Sequence, residues 1–144
     1  MVASMLALPG FGQVTGTPAQ PGTQQAGSSQ PLAAGANSPA ESAAILYMRT
    51  AMRSEFLYKK KHNEYARSLA SLVGTGSFTK RMSRPDRGDY KVQYSSNGEK
   101  YQLVMVPNAF DDQHRSFFVD QDGKIRVEEQ KSATAESSLL KTRR

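Results

Sequence analysis

The sequence contains no cysteine and no tryptophan. Without cysteine there is no disulfide framework, no thiolate nucleophile and no thiolate metal site. Long hydrophobic runs are missing too: none approaches the ~20 apolar residues that a membrane-spanning helix needs. The hydrophobic share is 38% of 144 residues, low for a chain packed from end to end. Charge is absent from the first forty residues, and Glu41 is the first charged side chain. Together these absences argue against a membrane protein, a zinc finger and a disulfide-rich miniprotein.

What is present divides the chain. The uncharged segment holds five of the seven prolines, six of the eleven glycines and a single aromatic, Phe11, of twelve. Such a segment cannot bury enough apolar surface to offset its conformational entropy, so residues 13–37 read as a disordered Gly/Pro/Gln/Ala linker. Residues 1–12 carry a short apolar run with a small-residue exit but no basic start, and read as a signal-peptide remnant. Residues 38–127 are expected to form one domain. Residues 128–144 read as a polar tail with a basic end at Lys141, Arg143 and Arg144. It is expected to fray or to form a short amphipathic piece around Leu139 and Leu140.

The folded part opens on Ser38, Pro39 and Glu41. Serine is a good N-cap, proline suits the first helical position, and Glu41 completes a capping box. No Gly or Pro follows until well past Lys61, so one helix of some six turns is expected. Ile45, Met48, Met52 and Phe56 share one face at 3–4 spacing. Tyr47, Ala51 and Tyr58 form a second stripe, with Leu46 and Leu57 between the two. The stripe reads either as a second buried face or as a partner surface, and the limited core of a small domain favours the partner surface. Ser68 to Val73 reads as one short helical turn, and the basic stretch 80–88 as a loop. Beyond it Tyr90, Val92 and Tyr94 alternate along a strand. Asn97-Gly98 signals a type I′ hairpin, residues 101–106 return, and strands at 116–119 and 124–127 follow. The expected fold class is α+β: one long N-terminal helix packed on a three- to four-stranded antiparallel meander.

The order of these strings resembles the globular domain of bacterial type IV pilin-like proteins, including pseudopilins of type II secretion systems. The residues that carry the resemblance are Tyr65, the Ser-Leu-Ala-Ser-Leu string at 68–72, the strand at 88–94, the strand at 101–107, and Arg115-Ser-Phe-Phe-Val-Asp with Gly123-Lys-Ile-Arg. The family's hallmark start, with about twenty apolar residues, is not in the sequence, and the uncharged segment stands in its place. The resemblance therefore implies a secreted or tethered, extracytoplasmic pilin-like domain. It would work without catalysis or cofactor, through contacts with other proteins such as pilin-like or secretion-system subunits.

Chemistry-bearing clusters are few. Asp111, Asp112 and His114 lie within four residues, and Asp120-Gln-Asp122-Gly123 begins like a calcium loop. The loop then places Lys124 at its fifth position and Lys131 at its twelfth, where oxygen ligands are required, so turn chemistry accounts for it better. Asp111, Asp112, Asp120 and Asp122 remain the candidates for a looser calcium site. No nucleophile elbow and no phosphate-cradling glycine loop is present, and no catalytic residue is assigned. The net charge is +6. Lys59, Lys60, Lys61, Lys80, Arg81, Arg84 and Arg87 crowd one window that contains only Glu64 and Asp86 as carboxylates. They define the alternative function, a small basic module binding nucleic acid or anionic polysaccharide.

Overall fold

Ser38 caps the helix as its sequence suggests: its Oγ accepts the Glu41 N–H at 3.1 Å, and α1 runs Pro39–His62 in a computed structural model that describes residues 31–142. Glu41 does not complete the box. Its carboxylate turns outward to the Asn37 N–H and to Arg115, with Arg115 Nη2 at 2.7 Å from Oε2. Asn63 ends the helix with a positive φ of 62°, and its N–H closes onto Lys59 O. Four basic residues in the last turn suit the negative end of the dipole.

Two 3₁₀ turns follow, Leu69–Leu72 and Lys80–Ser83. Then come six strands: β1 Asp86–Arg87, β2 Tyr90–Ser96, β3 Tyr101–Pro107, β4 Ser116–Asp120, β5 Arg126–Glu128 and β6 Ser138–Leu139. They form one antiparallel sheet in sequence order. This overturns the expected helix on a three- to four-stranded meander. The two added strands are two residues long. That is too short for an alternating pattern to reveal, because periodicity needs at least four residues. Strands so short also blunt the sheet's edges against further pairing.

The core lies between α1 and one face of the sheet. Ile45 and Met48 meet Leu103, Met105, Phe117 and Val119, all essentially inaccessible to solvent. The chain between α1 and β1 adds Ala66, Leu69, Leu72 and Phe78 to the same core. That segment also covers the helix's second stripe: Tyr47 Oη donates to Met82 O, and Ser54 Oγ to Thr75 O. Tyr47 and Ala51 are therefore buried, and Tyr58 is half-buried. Of the two readings of the stripe, the burial of Tyr47 and Ala51 goes with a packed face closed by the protein's own chain rather than a partner surface, while Tyr58 keeps part of its surface in solvent.

Three further expectations change. The hairpin between β2 and β3 does not use a type I′ turn, which needs positive φ at both central residues. Only Gly98 has it, while Asn97 N–H donates to Lys100 O and Asn97 Oδ1 accepts from Glu99 and Lys100. The tail over residues 128–142 is built into the domain rather than frayed. Ala133 N–H donates to Ser116 Oγ, Leu140 N–H to Ile125 O, and Leu140 packs on the core. The domain also begins earlier than residue 38: Ala33 N–H donates to Ser42 Oγ, and Arg115 Nη2 donates to Gly35 O. The linker expectation for 13–30 and the signal-remnant expectation for 1–12 lie outside the described residues. No helix among the described residues is long and apolar enough to cross a membrane.

Candidate functional site

At 3.6 residues per turn, Arg49, Arg53, Phe56 and Lys60 fall on one flank of α1, beside the face that meets the sheet. Facing them are Tyr65, Tyr101 at the start of β3, and Gln121 and Gly123 in the turn between β4 and β5. Together they enclose a groove of about 540 Å³, within the usual range for binding pockets. Its apolar and aromatic lining is Met52, Phe56, Tyr65 and Tyr101. Phe56 is 67% exposed, a large apolar side chain left in water at the mouth of a cavity. Gly123 has a φ of 74°, which the turn requires, and a Cβ there would come within 3.9 Å of Met52 Cε.

The walls are held from beneath. Tyr65 N–H donates to Gly98 O at 2.7 Å, which ties the segment after α1 to the hairpin tip. The Tyr65 ring packs 4.9 Å from Tyr101, and Tyr101 stacks on Tyr94. The Tyr94 hydroxyl donates to the buried carboxylate of Glu55, which also accepts the Ala66 N–H. Burial pushes the Glu55 carboxyl up, and those two hydrogen bonds pull it back only in part. Tyr101 is raised as well, first by burial and then by the Glu55 charge.

The rim is cationic. Lys59 Nζ sits 4.2 Å over the Tyr65 ring, and Arg49, Arg53 and Lys60 complete a set of four positive groups. The lining contains no carboxylate, and among the described residues none of the four is in an ion pair. An apolar lining inside an unneutralised basic rim suits an occupant with an apolar anchor and negative flanks.

The basic window does not form a single footprint. Lys59 and Lys60 line this groove, and Lys61 is exposed at the helix end. Arg81, Arg84 and Arg87 line a different pocket with Ala43, Ala44 and Tyr47, on the other flank of α1, while Lys80 is exposed in the second 3₁₀ turn. The metal candidates do not converge either: among the described residues no group of three or more His, Asp or Glu is placed to hold an ion. Asp111 instead holds His114 Nδ1 at 2.7 Å, and that hydrogen bond raises the imidazole above its ordinary value. Asp120 and Asp122 accept backbone N–H groups within their own turn, and Asp122 also takes Arg126. Asp112 is exposed.

Sequence reasoning missed Arg49, Arg53, Tyr101 and Gln121 as lining residues and assigned Phe56 to the core stripe. A usable signal existed. Cations and an aromatic recur at i, i+4, i+7 and i+11 along one helix flank, where a solvated face would carry charges of both signs. No protein-family model, curated protein or solved structure matches the chain.

Proposed function

We propose that this protein is a non-enzymatic binding domain that works through protein–protein contacts, and that its groove receives an acidic segment of a partner anchored by an apolar side chain. The observation that supports this reading is the exposed Phe56 among four cations that, among the described residues, no carboxylate pairs with. Aromatic and arginine side chains around a pocket are the usual energetic centres of such contacts. A second copy of the chain is a poor occupant, because its net charge of +6 repels the same rim. The extracytoplasmic, pilus- or secretion-related setting belongs to the proposal as its context. It rests on the order of the local strings from Tyr65 to Arg126.

The test is fluorescence anisotropy with a labelled peptide carrying one phenylalanine flanked by aspartate and glutamate. Binding should be saturable, and Phe56→Ala should weaken it by roughly tenfold or more. Arg53→Glu should weaken it further at low salt than at high salt. A basic peptide of the same length should not bind. Equal binding of acidic and neutral peptides, or an unchanged affinity in Phe56→Ala, would sink the proposal. Displacement of the peptide by a single-stranded oligonucleotide at lower concentration than by unlabelled peptide would favour the basic-module alternative.

A further inference from the structure

The pocket on the opposite flank of α1 has a different chemistry. It encloses about 320 Å³, and its polar lining is Arg81, Arg84, Asp86 and Arg87, with Tyr47 beneath. Three guanidinium groups against one carboxylate leave an excess of two positive charges. Among the described residues none of these arginines, nor Asp86, is in an ion pair.

The arrangement is braced rather than loose. The buried Tyr47 hydroxyl donates to Met82 O at 2.8 Å, which pins the 3₁₀ turn that carries Arg81 to the helix. The Arg87 guanidinium lies 4.7 Å over the Tyr47 ring and donates through Nη1 to Arg81 O at 3.3 Å. That bond uses one of its five N–H donors. Burial pushes the Tyr47 hydroxyl up to about 12, against the lowering effect of Arg87, so it stays a neutral donor at physiological pH. Arg81 and Arg84 are exposed, and Arg87 is half-buried. Gly88 follows at a φ of 67°, and a Cβ there would meet nothing within 4 Å, so the mouth of the pocket is open on that side.

We propose that this pocket binds a phosphate monoester, with Arg81, Arg84 and Arg87 as its donors. A phosphate monoester carries about −1.5 to −2 charges near neutral pH, which matches the excess of two. The planar fork of arginine pairs two N–H groups with two phosphate oxygens, a geometry that lysine does not offer. This pocket shares no lining residue with the groove, so the two sites can be inactivated separately.

Isothermal titration calorimetry with phenyl phosphate tests the proposal directly on the full chain. Binding should be saturable at one site per chain, and Arg84→Ala should weaken it by roughly tenfold. Arg87→Lys, which keeps the charge but loses the fork, should also weaken it. Asp86→Asn removes the one carboxylate of the lining and should strengthen it severalfold. That variant changes an exposed side chain, so it keeps the test decisive if an arginine variant fails to fold. Lys131→Ala, which removes one charge elsewhere, should change nothing. A phosphoserine peptide should bind at least as tightly as phenyl phosphate and lose affinity in Arg84→Ala. Binding to vesicles containing phosphatidic acid with none to phenyl phosphate or to the peptide would overturn the proposal. Equal losses in Arg84→Ala and Lys131→Ala, or no gain in Asp86→Asn, would each overturn the site.

Discussion

Glu41 and Glu55 lie on the same helix and are equally inaccessible, at 0% and 1% exposure, yet their surroundings treat them oppositely. For Glu41 burial alone would raise the carboxyl. The Arg115 guanidinium and the Asn37 and Arg115 backbone N–H groups overcome that and hold it below its ordinary value. For Glu55 burial wins, because its partners are one tyrosine hydroxyl and one backbone N–H and no cation. The first glutamate is a fixed anion that clamps the helix start to the chain at 113–115, helped by Ser38 Oγ donating to Gln113 O. The second supports the tyrosines behind the groove. Burial alone does not decide the state of an ionisable group; the partner it meets does.

Removing Glu41 should have the largest effect. Glu41→Ala leaves the Arg115 guanidinium, whose side chain is 14% exposed, without its anion, and should destabilise by about 3–5 kcal/mol. Urea denaturation checks this, and a loss below ~1 kcal/mol would mean that the clamp relaxes to solvent. Glu55→Gln should instead lie within about 1 kcal/mol of wild type, since an amide can still accept from Ala66 and meet the Tyr94 oxygen.

The two residues should also separate by pH. Glu41 has a depressed folded pKa, so its contribution is present above the ordinary 4.5 and is lost as pH falls through the lowered value. Glu55 has a raised folded pKa, so the native state binds the extra proton and stability falls as pH rises from 4.5 through that raised value. Urea midpoints compared at a series of pH values should show wild type losing ground to Glu55→Gln across that upper window. Parallel curves for the two proteins would show that Glu55 is not perturbed.

Phe56→Ala should have the smallest effect on folding, within about 0.5 kcal/mol, because the ring is already mostly in water. It should nonetheless abolish most of the groove's peptide binding. A loss of several kcal/mol in its thermal unfolding would place Phe56 in the core and remove the groove as a separate functional region.

Much of the local structure was legible because it depends on neighbours in the chain. Ser38 and Pro39 mark the helix start, the Ser68 hydroxyl caps the turn at Leu69–Leu72, and Tyr90, Val92, Leu103 and Met105 alternate on their strands. The groove was legible only in part: the cations at 49, 53 and 60 share a flank with Phe56, but Phe56 also has the helical spacing of Met48 and Met52, and its exposure is set by the folded neighbours. Tyr47 and Ala51 show the converse. A second apolar stripe specifies that something covers it, and the segment from Ala66 to Met82 supplies the cover.

One helix with its cap, the central β2–β3 hairpin and the uneven distribution of charge follow from short stretches of chain, because capping, alternation and composition act over a few residues. The six-stranded sheet, the pairing of Glu41 with Arg115, and the division of the basic window between two flanks of α1 emerge only on folding. Those depend on contacts across tens of residues, where a two-residue strand or a single salt bridge has no periodic trace. The physical reason is range: local geometry repeats along the chain, whereas the partner of a buried charge is set by which segments the folded core brings together.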